Sequence, residues 1–419
     1  MRTLSSARVL ALVVLAGCDG HPTAPDIVAN TEHRIAVRDV AGHAELYDRV
    51  TGESFNPRGF NYTRLPPLIQ RNGEPARYHS VLDVGRYAPT AIDAMLDRMQ
   101  ADGYNTVRLF LDVLDTPGAL GDPGGGLNDG YITNVIDLLR RAERRGIQVI
   151  FTLDNPPETG GYLTPYDAWC CDLFEGSNLQ LMTPGGIEAD RGFWTQFVTI
   201  LRDRGAPFGA VLAWEIRNEL GFDASARPLS LEAGRVTAAN GTTYDLGVTG
   251  DRLRLMDESL VFWLDEVRRA IRAVDPTALV TAGFFVPQDP HPTRAGDPRL
   301  MRVFPALATS ELDFVDLHLY PNGDLTMPEL ADNFGIGQRG SKPIVMGEFG
   351  APMEVFSSAS DGANAVRAWQ AESCGFGFTG WLFWTFDTTE QEGFWTATDQ
   401  DGAIADALSP RVRPDPCAP

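Results

Sequence analysis

Apolar residues along the chain follow two alternating patterns. Short runs rich in Val, Ile, Leu and Phe are separated by longer stretches in which apolar residues recur every three to four positions. Ile92, Met95, Leu96 and Met99 show the second pattern, as do Ile132, Val135, Ile136 and Leu139. Trp194, Phe197, Val198 and Leu201 repeat it, and Leu260, Trp263, Leu264, Val267 and Ile271 carry it over three turns. Each set predicts a helix with one buried face. Three of these helices stop at Gly103, Gly146 and Gly205, where a residue tolerant of positive φ closes a helix before the next strand. The apolar runs predict eight strands, at 57–61, 106–111, 148–153, 210–216, 278–282, 314–319, 343–347 and 380–385.

Strands alternating with helices are the α/β signature, and eight such units predict a (β/α)8 TIM barrel. A doubly wound open sheet would carry a glycine-rich phosphate turn after its first strand, and the run from Gly59 to Leu65 is no such turn. Segments 34–38 and 44–50 flank an Ala-Gly turn and predict a hairpin across the bottom of the barrel. Long segments follow strands three and four, at 155–190 and 220–250. They belong on the C-terminal face, where barrels place their active sites, and are expected to shape a cleft.

The first residues read differently. Arg2 and Arg8 lead into the apolar run Val9 to Ala16, followed by Gly17 and Cys18. This pattern predicts an export signal over 1–17, a flexible tether over 18–32 and a catalytic domain over 33–419. The run is far short of the ~20 residues that span a bilayer. Leu15-Ala16-Gly17-Cys18 resembles a bacterial lipobox, which implies lipidation of Cys18 and a cell-envelope lipoprotein, periplasmic or surface-tethered. A plain secretory signal is the other reading. Loss of the two arginines takes the net charge from -21 to -23, which argues against nucleic acid or an anionic polysaccharide as partner and for a neutral one. Cys170, Cys171, Cys374 and Cys417 then remain, an even set in an oxidising compartment. The expected arrangement ties Cys170 and Cys171 separately to Cys374 and Cys417, in either pairing. A zinc site is disfavoured, because adjacent cysteines lack ligand spacing.

Candidate chemistry sits at two strand ends. Strand four runs out through Trp214-Glu215-Ile216-Arg217-Asn218-Glu219, and strand seven through Met346-Gly347-Glu348-Phe349-Gly350. One glutamate at a strand end is usually solvated or salt-bridged. Two on one rim suit glycoside hydrolysis, in which a carboxylic acid protonates the leaving oxygen and a carboxylate roughly 5 Å away acts as nucleophile. Arg108, on strand two, is the candidate cation for keeping Glu348 ionised. Glu215 alternates with Glu219 but lies deeper, so it is expected to pair with a buried cation such as Arg108 or Arg217.

Four ordered motifs, WEIRNE (214–219), DLHLYP (316–321), PIVMGEFG (343–350) and WLFWTF (381–386), together with RGFN (58–61), resemble glycoside hydrolase clan A, most closely family 5. That resemblance implies a retaining β-glycosidase with Glu219 as acid/base and Glu348 as nucleophile. It implies supporting roles for Arg108, Asn218 at a sugar 2-hydroxyl, His318, Tyr320, and Trp384 as the floor of the cleaved-sugar subsite. Many family 5 cellulases carry a histidine at the end of strand three, where this chain has Asp154-Asn155. The Gly160-Gly161-Tyr162 turn and Trp169 resemble the β-mannanase branch instead. The expected activity is therefore endo-β-mannanase-like on a neutral β-linked polysaccharide or oligosaccharide. An endo-β-glucanase or exo-β-glycosidase is the alternative, and a non-catalytic carbohydrate-binding lipoprotein the remote one. Trp169 and Trp395 are candidate sugar platforms, with Tyr162, Tyr166 and Phe222 as further aromatics in the cleft loops. The mechanism calls for no cofactor and no metal, and the acids of 387–401 read as solvated rather than as a calcium loop. The protein is expected to act as a monomer.

Overall fold

The computed structural model describes residues 31–170, 172–286, 299–320 and 326–417. The export signal, Cys18, most of the tether and Cys171 lie outside the described residues.

The eight barrel strands are β1 (Arg58–Asn61), β2 (Thr106–Phe110), β3 (Gln148–Thr152), β4 (Val211–Glu215), β5 (Val280–Thr281 and Gly283–Phe284), β6 (Val315–His318), β7 (Ile344–Pro352) and β8 (Phe378–Trp384). Each is followed by a helix: α1 (Pro89–Asp102), α2 (Asp129–Glu143), α3 (Pro184–Asp203), α4 (Thr249–Val274), α5 (Val303–Ala308), α6 (Met327–Phe334), α7 (Ala359–Ser373) and α8 (Asp399–Leu408). The strands pair in parallel from β5 through β4, β3, β2, β1, β8, β7 and β6 back to β5. This is the (β/α)8 barrel that the alternating pattern predicts.

The four apolar stripes read from the sequence are buried on α1, α2, α3 and α4. Gly103, Gly146 and Gly205 all have positive φ. The N-terminal hairpin pairs Ile35–Val40 with His43–Asp48. Its Ile35 and Leu46 join an apolar layer with Ile150, Leu212, Leu279, Phe314, Val345 and Leu382, contributed by strands or strand approaches around the barrel. The layer closes the barrel beneath the polar residues described below.

Three expectations are corrected. Strand five is broken at Ala282: Val280–Thr281 pairs with β4, and Gly283–Phe284 pairs with β6. A Cβ on Gly283 would lie 2.7 Å from Glu215 Oε1 and 3.1 Å from His318 Nε2, so polar side chains crowd the inside of this break. Strand seven continues to Pro352 rather than stopping at 347, because its end gains an antiparallel partner in Phe394–Trp395. Cys374 is bonded to Cys417, so these two cysteines are partners of each other and not of Cys170 and Cys171. The C-terminal tail lies against the end of α7, with the two Cα atoms 5.6 Å apart, which is ordinary disulfide separation. Cys170 is also disulfide-bonded. No helix among the described residues is long and apolar enough to cross a membrane.

Candidate active site

Arg108 organises the floor of the site. It is fully buried on β2 and uses all five N–H donors of its guanidinium. Nε and Nη2 form a fork on Glu215 at 2.8 and 2.7 Å. Nη1 donates to Glu348 Oε1 at 2.7 Å and to Asn61 Oδ1 at 2.8 Å, and Nη2 also reaches Asn218 Oδ1 at 2.8 Å. Burial works against its charge, but Glu215, Glu348 and Asp316 outweigh that and hold its pKa above the usual arginine value. Glu215 is thus the partner of Arg108. Arg217 turns instead to amide oxygens, donating to Gln180 Oε1 at 2.7 Å and to Asn155 Oδ1.

The two glutamates of the sequence reading come together above Arg108. Glu348 lies at a register irregularity of β7 and pairs across the sheet with His318 of β6. Tyr320 donates its hydroxyl to Glu348 Oε2 at 2.7 Å. Burial, then the Glu348 charge, pushes the Tyr320 phenol well above its ordinary pKa, so it serves as a donor at all working pH values. His318 Nδ1 is 3.1 Å from Glu219 Oε1 and 3.5 Å from Glu348 Oε1. Carboxylate oxygens of Glu219 and Glu348 and the ring nitrogen of His318 all lie within 4.8 Å of one another. Burial lowers the His318 pKa to about 4, which leaves a neutral imidazole. With its proton on Nδ1 the ring donates toward the two carboxyl groups.

Glu219 has φ 37°, a left-handed conformation that a side chain-bearing residue adopts at a cost of order 1–3 kcal/mol. It lies four residues past the end of β4, and its carboxyl reaches His318 of β6. Arg299, from the connection between β5 and α5, approaches Glu219 Oε2 at 3.5 Å. A short ladder between Arg299–Leu300 and Phe222–Asp223 holds that connection beside the acid/base candidate.

Asn218 is fixed at both ends, since its Nδ2 also donates to Asp154 Oδ1 at 3.2 Å. Tyr78 donates to Asp154 Oδ2 at 2.8 Å. Trp384, at the end of β8, is 7% exposed and is held by an indole N–H bond to Gln391 Oε1. His79 stacks on Phe110 with ring centroids 3.7 Å apart and meets Trp384 edge-on. Burial lowers the pKa of His79 to about 4 as well.

The aromatic candidates divide. Trp169 is 38% exposed in the segment after β3. Trp395 is packed against the core and donates its indole N–H to Phe356 O at 2.8 Å. Tyr162 and Phe222 are buried, and Tyr166 packs partly against the core, so these three serve packing more than a surface. Of the acids in 387–401, Asp387 takes an ion pair from Arg64, and Asp399 accepts the Thr396 backbone N–H.

Sequence reading missed Asn61, Asp154, Arg299 and Asp316. Asn61 bridges Arg108 to the Gly347 carbonyl, with its Nδ2 donating at 2.8 Å. It stands inside the RGFN motif, so a signal for it existed. Asp154 was seen only as a departure from a histidine.

No family model matches the chain, and no curated protein matches it. Solved structures do. The endo-1,4-β-mannanase from Rhizomucor miehei is 17% identical, with a TM-score of 0.60 over 91% of this chain and 100% of that one. The β-mannanase from the blue mussel Mytilus edulis is 18% identical, with a TM-score of 0.52 over 92% of this chain and 98% of that one. A glycoside hydrolase family 5 mannosidase from Rhizomucor miehei is 13% identical, with a TM-score of 0.56 over 89% and 96%. The chain has the barrel fold of these proteins.

Proposed function

We propose that this protein is a retaining β-glycoside hydrolase in which Glu348 is the nucleophile and Glu219 the general acid and base. The observation that carries the reading is that one carboxyl oxygen of Glu219 and one of Glu348 lie within 4.8 Å of each other. Inverting enzymes hold their carboxyl groups roughly 6.5–9.5 Å apart to admit a water between them, whereas retaining ones keep them about 5–5.5 Å apart.

In the first step, Glu348 attacks the anomeric carbon while Glu219 gives its proton to the glycosidic oxygen, and the aglycone leaves. A glycosyl ester on Glu348 results. In the second step, Glu219 takes a proton from a water that attacks the same carbon, and Glu348 is released as a carboxylate. Arg108 and Tyr320 hold the two oxygens of Glu348, which orients the attack. His318 holds Glu219, and the second N–H of Asn218 Nδ2 is available to a sugar hydroxyl. Trp384 offers the apolar face for the cleaved sugar.

The substrate reading is a β-mannan-type polymer, supported by the mannanases and mannosidases that share the fold. An exo-acting or short-chain reading is favoured by one observation. Asn178, from the segment after β3, donates to the backbone oxygens of Asp223, Ala226 and Arg227 after β4, which ties together the two insertions that follow these strands. Release of reducing sugar from mannan, glucan, xylan and short oligosaccharides, with product sizes, tests both. Glu219→Ala and Glu348→Ala are expected to abolish release. Undiminished hydrolysis by either variant would sink the assignment, and single-sugar products from every chain length would select the exo reading. The mature protein is read as an exported monomer, tethered through Cys18 or secreted; labelling by a fatty-acid probe, lost in Cys18→Ser, separates the two.

A further inference from the structure

Asp316 has no role in the chemistry above, yet it sits beneath it. It is fully buried on β6, two residues before His318, and among the described residues neither of its carboxyl oxygens has a hydrogen-bond partner. Three carboxyl groups meet there: Glu215 from β4, Glu348 from β7 and Asp316 itself. Arg108 supplies one positive charge, and His318 is neutral.

Arg108 cannot serve all three. Its Nε is 3.8 Å from Asp316 Oδ2, but that N–H is spent on Glu215, and its other four are spent on Glu215, Glu348, Asn61 and Asn218. His318 Nε2 is 3.9 Å from Asp316 Oδ1, beyond hydrogen-bond reach. The carboxyl group beside it is that of Glu215, with an oxygen of each within 4.8 Å of the other. An ionised Asp316 would therefore be a buried anion without a donor, beside two other anions. A proton on Asp316 removes one charge and creates the missing donor, directed at Glu215. The space is shaped for this carboxyl: a Cβ on Gly347 would fall 1.8 Å from Asp316 Oδ1.

We propose that Asp316 is a neutral acid in the resting protein, that it donates its proton to Glu215, and that it acts as a positioning residue for the nucleophile. With Asp316 neutral, the guanidinium stays divided between Glu215 and Glu348. An ionised Asp316 would compete for Arg108 Nε and turn the guanidinium away from Glu348. Burial, then the Glu215 charge, raises the Asp316 pKa well above the usual carboxylate value, in agreement with the geometry. The proton itself is independent of the glycosidase reading; its effect on Glu348 rests on that reading.

The proton is read directly by carbon NMR of protein labelled at the aspartate carboxyl carbon. Asp83, whose pKa burial and then Asp112 raise to about 9, is first removed as Asp83→Asn. At about pH 8.5, where an ordinary aspartate is ionised, one protonated aspartyl carboxyl should remain. It should vanish in Asp83→Asn with Asp316→Asn. Absence of any protonated carboxyl in the first protein overturns the proposal whether or not the second variant folds, and so does its persistence in the second. Activity gives the role. Asp316→Asn, which keeps a donor toward Glu215, should hold kcat/KM within about threefold of wild type, while Asp316→Ala should lower kcat with KM nearly unchanged. Equal loss in both would mean that the ionised carboxylate is needed, against the proposal. A protonated Asp316 in a protein that cleaves no glycoside would instead refute the glycosidase reading alone.

Discussion

All five donors of Arg108 are committed, two of them to Glu215 and one to Glu348, so its replacement removes a positioning device and strands buried carboxylates. Arg108→Lys keeps the charge but offers a point donor in place of a planar fork. Its kcat/KM is expected to fall by about 10²–10³, mostly in kcat, with the fold intact by circular dichroism. Retained activity would show that the fork is not required. The pair of glutamates was legible in the sequence because each follows an apolar run inside an ordered motif. Asn61 stood inside a motif that was read without giving it a role, and Asp154 and Asp316 were missed because their roles depend on which side chains neighbouring strands place opposite them, which the local sequence does not state. Glu215 was legible as a buried ion-pair partner, and only its contacts decided between Arg108 and Arg217.

At the scale of elements, helices α1 to α4 were legible because each buries a stripe of 3.6-residue period, whereas strand boundaries were set by partners far along the chain. The break in β5 separates two pairs of residues within one apolar run, so periodicity carries no mark of it. The extension of β7 depends on Phe394–Trp395, over forty residues away. The glycine that precedes Glu348 is set by the same inner surface. Gly347→Ala would drive a methyl into the Asp316 carboxyl, which is buried and has no room to withdraw. It should cost about 1–3 kcal/mol of stability and lower kcat together, since overpacking moves β7. Thermal unfolding and single-turnover rates check this, and a variant with wild-type values for both would remove the steric argument.

Across the whole molecule, two features outside the barrel chemistry carry stability. Cys374–Cys417 closes a loop of 43 residues between α7 and the tail. Its removal as Cys374→Ser with Cys417→Ser is expected to cost about 2–4 kcal/mol, seen as a lower midpoint in urea with little change in kcat. Asp83 and Asp112 form a buried acid pair, with Asp83 raised to about 9 and Asp112, mainly by burial, to about 6. A folded-state pKa above the unfolded value means that the folded protein holds the extra proton. The contribution is fully present below the unfolded pKa near 4 and is lost as pH rises toward 9. Asp83→Asn, which cannot ionise, should gain stability relative to wild type as pH rises, by at most about 1.4 kcal/mol per pH unit. A stability difference that stays constant from pH 5 to pH 8 would show that the Asp83 proton is not held.

The division of labour between Glu219 and Glu348 is tested most directly by the stereochemistry of azide rescue on an aryl β-glycoside. Azide added to Glu348→Ala should take the nucleophile's place and give the α-glycosyl azide, inverted relative to substrate. Azide added to Glu219→Ala should intercept the glycosyl ester and give the β-glycosyl azide, with retained configuration. The opposite pairing of products would exchange the two roles, and rescue of neither variant would contradict a double displacement at this pair.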